Sequence, residues 1–151
     1  MPMTSWPFTH HTEAAFDPIA NSDACKSVKA ENEPNTANYT MESKGFTLLG
    51  LPTVTATIKT LGTFPELVAR LWDVTPGGKQ ILVSRAVYRV AENQENTTST
   101  ITFQLHGNGY EFPAGDTVKL QLLGRDAPYY RASNGTFTIE TSNVTATLPT
   151  P

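Results

Sequence analysis

Short runs in which apolar and polar residues alternate recur along most of this chain. The cleanest is "TVTATIKTL", where Val54, Ala56 and Ile58 alternate with Thr53, Thr55, Thr57 and Lys59. Successive side chains of an extended backbone point to opposite faces, so the run predicts a half-buried antiparallel strand. "TANYTM" repeats the pattern with Ala37, Tyr39 and Met41 on one face, "STITFQL" with Ile101, Phe103 and Leu105, and "TVKLQLL" with Val118, Leu120 and Leu122. Near the end of the chain "TFTIET" places Phe137 and Ile139 together, and "NVTATL" places Val144, Ala146 and Leu148 together. The change of parity between these two runs falls at Ser142-Asn143, residues that suit a tight connection between two strands.

One segment reads two ways. In "FPELVARLWDV", Pro65 suits a first helical turn, and Leu67, Val68, Leu71 and Trp72 recur at helical spacing. The turn chemistry of Pro76-Gly77-Gly78 follows, and then the β-branched run "ILVSRAVYRV". A hairpin from Leu67 to Val90 accounts for all three pieces, and strand is the reading adopted. The pattern thus gives eight or nine short strands, no helix able to cover a parallel sheet, and an all-β fold: an antiparallel two-sheet β-sandwich, with jelly-roll topology favoured. Residues 1–35 lack apolar periodicity and read as an extended lead-in, anchored by Phe16 and Ile19, to a sandwich domain over 36–151.

Composition narrows the functions. A chain of 151 residues buries roughly two-thirds of its unfolded surface as one domain without disulfides or metals. Net charge −3 offers no electrostatic footprint for nucleic acid or an anionic membrane. No apolar run reaches the length of a membrane span, and the first residues lack the basic start and apolar stretch of a signal peptide. The single cysteine, Cys25, excludes an intrachain disulfide and a multi-cysteine zinc site; it reads as a small packed side chain or as half of a cystine shared with another segment.

No catalytic constellation is present. The nucleophile elbow of an α/β-hydrolase needs glycine on both sides of its serine, two residues away; Ser43 and Ser133 have Gly45 and Gly135 after them but Met41 and Arg131 before. His10, His11 and His106 are too few and too scattered to assemble a triad. No cofactor is implied. Asp73, Asp116 and Asp126 stand beside turns, where carboxylates either hold a structural calcium or accept backbone hydrogen bonds, the second being the simpler reading. Arg70 and Arg85 receive no function. The candidate ligand-binding residues are the rings of Trp72, Tyr110, Tyr129 and Tyr130, since flat aromatic faces stack on sugars; each ring also suits ordinary packing.

Several segments, in order, resemble a known domain: "AFDPIA" with "DAC" after it, "FTLLGLPTVTATI", "VARLWDVTPGG", "FQLHGNGYEFPAGDTVKLQLLGRDAPY" and "SNGTFTI". The chain is similar, from about Ala14 to Pro149, to the C-terminal domain of the X-Pro dipeptidyl-peptidase and cocaine-esterase-like serine hydrolases. The resemblance implies a galactose-binding-like jelly roll that is not itself catalytic. It also implies packing against an α/β-hydrolase domain whose substrate site it shapes or caps, in a parent that is often exported. Asp116 stands where many members carry a histidine. The rival reading is a free-standing carbohydrate-binding module.

Overall fold

The computed structural model describes residues 2–4, 26–127 and 129–151. His10, His11, Phe16, Ile19 and Cys25 lie outside them. Eleven strands run along the described residues: β1 (Pro2–Thr4), β2 (Ser27–Lys29), β3 (Ala37–Glu42), β4 (Phe46–Gly50), β5 (Thr53–Gly62), β6 (Glu66–Val74), β7 (Lys79–Arg89), β8 (Thr98–Gln104), β9 (Asn108–Phe112), β10 (Thr117–Leu123) and β11 (Phe137–Thr147). A four-stranded sheet has the order β1-β11-β5-β8, a five-stranded sheet the order β2-β7-β6-β10-β3, and β4 pairs with β9 in a small third sheet. Every pairing is antiparallel.

The alternating runs fold as their pattern requires. Val54, Ala56, Ile58, Ile101, Phe137 and Ile139 of the first sheet meet Leu67, Ala69, Leu71, Ala86, Val118, Leu120 and Leu122 of the second in one core. Leu48 and Phe112 of the small sheet belong to the same core, with Phe46 stacked on Phe112 at 5.0 Å between centroids. Burial of each valine, leucine, isoleucine or phenylalanine side chain contributes about 1.5–3 kcal/mol, so the fifteen of them in this core, among the described residues, outweigh any single surface interaction. The result is an all-β antiparallel sandwich.

The strand reading of "FPELVARLWDV" holds, and two further details emerge. "FPELVARLWDV" is strand β6, buried from Glu66 to Asp73, because both of its faces are covered; the apolar residues that mimic helical spacing belong to two opposite faces. Its turn is the expected one, with Thr75 N–H donating to Lys79 C=O (2.8 Å) and Gly78 at φ +79°. "TFTIET" and "NVTATL" are not two strands joined by a tight connection. They form the single strand β11, paired with β5 throughout, and a bulge between Ser142 and Thr145 takes up the extra residue, with Asn143 at φ +50°. Finally, β1 and β2 lie within residues 1–35 and pair with β11 and β7.

Candidate functional site

The outward face of the five-stranded sheet is not the wet face that alternation suggests. Arg70 of β6 lies opposite Arg85 of β7 on one side and Gln121 of β10 on the other; Trp72 lies opposite Leu82 and Lys119. Yet Arg70, Trp72, Lys119 and Gln121 are 3%, 1%, 3% and 0% exposed, which makes this face a second, polar interior. Two segments without periodicity supply partners for it. From the chain before β3, Glu33 Oε1 accepts from Arg70 Nη1 (3.3 Å), and the Glu31 carbonyl accepts from Lys119 Nζ (2.8 Å). From the loop after β10, Asp126 pairs with Arg70 Nη2 and stands 3.8 Å from Arg85 Nη1.

Like charges directly opposite each other on a sheet repel. Asp126, fully buried, is the counter-charge that lets Arg70 and Arg85 sit side by side, and it ties the loop down over them. Trp72 donates its indole N–H to Gln121 Oε1 (3.0 Å), with Arg70 and Lys119 near its ring at 6.0 and 5.9 Å from the centroid. Burial pushes the Lys119 ammonium below its ordinary range, an effect opposed by Glu33 and Glu31. Its proton-bearing nitrogen also donates to Gln80 Oε1 (2.6 Å).

The four candidate rings do not converge into a stacking platform. Trp72 is interior, in keeping with ordinary packing rather than with a ligand-facing ring: its indole is enclosed by the sheet's own side chains. Tyr110 packs edge-on against Phe112 and donates its hydroxyl to Asp73 Oδ2 (2.6 Å). The Arg85 guanidinium covers the face of Tyr129 at 3.6 Å, and the Tyr129 hydroxyl bonds His106 Nε2; burial raises the phenol's pKa, with Arg85 opposing. Tyr130 alone keeps a large exposed area, 37%.

The serines noted for their trailing glycines have a structural role. Ser43 Oγ accepts from Gly45 N–H (3.1 Å) and donates to Phe112 C=O; Ser133 Oγ accepts from Gly135 N–H (3.0 Å) and donates to Phe64 C=O. Both are side-chain turns that fix loops. The His106 ring meets Tyr129 rather than a serine, so among the described residues no nucleophile, imidazole and carboxylate are joined.

Of the aspartates weighed for calcium, Asp126 is taken by arginines on the outward face, while Asp73 and Asp116 neighbour each other on the inward one. They do not converge, and no group of three or more His, Cys, Asp or Glu suited to a metal occurs among the described residues. Burial raises the Asp73 carboxyl pKa, the Tyr110 hydroxyl opposes this, and Asp116 adds to it. A carboxyl with a raised pKa holds its proton more tightly folded than unfolded. Its contribution is therefore complete below the unfolded value and is lost as pH climbs through the folded one. Asp73→Asn keeps an acceptor for Tyr110 and gives Asp116 a donor. The expected result is a gain on the order of 1 kcal/mol near neutral pH and a flatter stability profile in the mildly acidic range, read by urea unfolding at several pH values.

Sequence comparison decides the family. The model of the X-Pro dipeptidyl-peptidase C-terminal non-catalytic domain matches residues 6–148. The chain belongs to that family. No curated protein matches the chain. The non-catalytic domain shares its fold with parts of larger solved proteins. Over 78% of its length it is similar to 26% of an alpha-amino acid ester hydrolase, with 18% identity and a TM-score of 0.68. Over 71% it is similar to 23% of an aminopeptidase from a marine sediment Thaumarchaeota archaeon (14%, 0.61). Over 78% it is similar to 30% of a CocE/NonD family hydrolase from Staphylococcus aureus (10%, 0.56). The chain thus spans under a third of each of these proteins. The family is by description a non-catalytic domain, and these likenesses lend the carbohydrate-binding alternative no support.

Proposed function

We propose that this non-catalytic domain serves an α/β-hydrolase domain of a parent serine hydrolase, packing against it and shaping or capping its substrate site. The observation that carries the reading is the family match over residues 6–148. The surface supports it. Among the described residues, large apolar side chains stay uncovered at Tyr39 and Met41 on the edge strand β3, at Leu49 and Leu51 around the end of β4, at Leu61 and Phe64 (54% and 63% exposed) where β5 leaves its sheet, and at Tyr130. Exposed apolar area of this kind is used by surfaces that meet a partner. The reading extends to an exported parent, as the resemblance to often exported hydrolases suggests. Among the described residues no helix is long and apolar enough to cross a membrane.

The chain by itself is expected to give no turnover with p-nitrophenyl esters or X-Pro-p-nitroanilides, followed by absorbance. Hydrolysis that co-elutes with the chain through successive columns and vanishes when the chain is immunodepleted overturns the reading.

A further inference from the structure

The passage from β5 into β6 forms one wall of an open cavity of about 730 Å³, lined on its other sides by Arg89–Glu92 and by Tyr130–Asn134. Three features of its lining stand out physically. Phe64 is held at φ +50°, a region that residues other than glycine avoid, and the residue is 63% exposed. Its backbone is pinned from both sides, the N–H donating to Glu95 Oε1 (2.8 Å) and the C=O accepting from Ser133 Oγ (2.7 Å). Strain maintained by a surrounding network, with an apolar ring left in water as the outcome, is a pattern found at ligand clamps.

Glu66 is the second feature. It is 5% exposed, accepts from the Ser133 backbone N–H, and leaves its Oε1 without a hydrogen-bond partner. A buried carboxyl oxygen without a donor costs free energy that a bound N–H would offset. The third is a pair of cations on the same lining: Arg89, directly opposite Glu66 in the β6–β7 register, and Arg131, both exposed. A simple cation would meet these arginines, and a simple anion would meet Glu66, Glu92 and Glu95. A ligand carrying both charges around an apolar body satisfies all of them.

We propose that this cavity binds a short peptide with free termini, its ammonium at Glu66, its carboxylate at Arg89 and Arg131, and an apolar side chain against Phe64 and Tyr130. The site is distinct from the polar layer around Arg70 and does not depend on the accessory-domain reading: a chain without hydrolase activity can still bind. The probe is glycyl-phenylalanine, titrated into the whole chain and followed by amide chemical shifts and calorimetry.

Saturable binding at a Kd of about 1 mM or tighter is expected, with shifts confined to residues 64–66, 89–92 and 130–134. N-acetylation of the dipeptide or Glu66→Gln should weaken it about tenfold, as should C-amidation or Arg89→Ala. Tyr130→Ala weakens it, and Thr100→Ala, on the far face of the other sheet, leaves it unchanged. Glu66→Gln keeps an acceptor for Ser133; if it unfolds nonetheless, the exposed Arg89 and Tyr130 variants and the capped dipeptides carry the test. No saturation, equal affinity for the doubly capped dipeptide, or shifts centred elsewhere would overturn the proposal.

Discussion

Asp126→Ala is expected to destabilise the domain by about 3–5 kcal/mol, among the largest effects available from one loop residue. Asp126 is fully buried, and its removal takes a counter-charge from the Arg70 guanidinium, which is 3% exposed, keeps Glu33 at 3.3 Å and has Arg85 directly opposite it. The loss is thus mainly the cost of taking a fully buried counter-charge from between two buried guanidinium groups rather than the intrinsic strength of one ion pair. A cycle separates the two. Arg70→Met removes the charge that Asp126 answers, so Arg70→Met combined with Asp126→Ala should lose clearly less than the sum of the single variants in urea unfolding. Additive losses would mean that the two residues act independently.

Gly62→Ala is expected to cost about 3 kcal/mol or more, from two sources that add. Gly62 adopts φ +106°, and a Cβ there would stand 2.1 Å from the Thr136 carbonyl oxygen and 2.7 Å from Phe137 Cα. Neither atom can retreat. Phe137 is paired with Gly62 in the β5–β11 register, and Thr63 N–H donates to Thr136 C=O at 3.0 Å. Gly135 meets the same crossing from the other chain, its added Cβ falling 2.0 Å from Thr63 C=O. Gly78→Ala is the control: it shares a positive φ (+79°) but has nothing within 4 Å, so only the backbone penalty of about 1–2 kcal/mol applies. Thermal melts of the two variants should differ accordingly; equal losses would show that the contact at Gly62 relaxes freely.

The residues that were legible from sequence are those whose environment depends on one sheet. β5 buries Val54, Ala56, Ile58 and Thr60 in strict alternation, and the pattern shows it directly. Ambiguity arises where a strand is covered on both sides, because β6 then carries apolar residues in both parities and imitates a helix. A parity change has two physical origins, a turn or a bulge, and only the continuous pairing of β11 with β5 distinguishes them. The polar layer is less legible still. Arg70, Lys119 and Gln121 occupy outward positions, and nothing local in "VARLW" or "VKLQLL" says that distant segments bearing Glu33 and Asp126 cover them. One signal was available: two arginines that face each other across a hairpin require a buried acid from elsewhere. Glu66 was hidden for a related reason, since it reads as a polar residue at the start of a strand while the Ser133 loop encloses it.

The strand order has a consequence for synthesis. β11, the last strand, is an interior member of its sheet, lying between β1 and β5, and β10 separates β6 from β3. As the chain leaves the ribosome, β5 and β6 therefore emerge with one hydrogen-bonding edge unfilled, and they wait for neighbours made much later. Such long sequence separations slow closure and prolong the time that unpaired edges can find another nascent chain. Chaperone occupancy during translation should consequently persist until residue 147 has cleared the exit tunnel, rather than tapering as each hairpin appears.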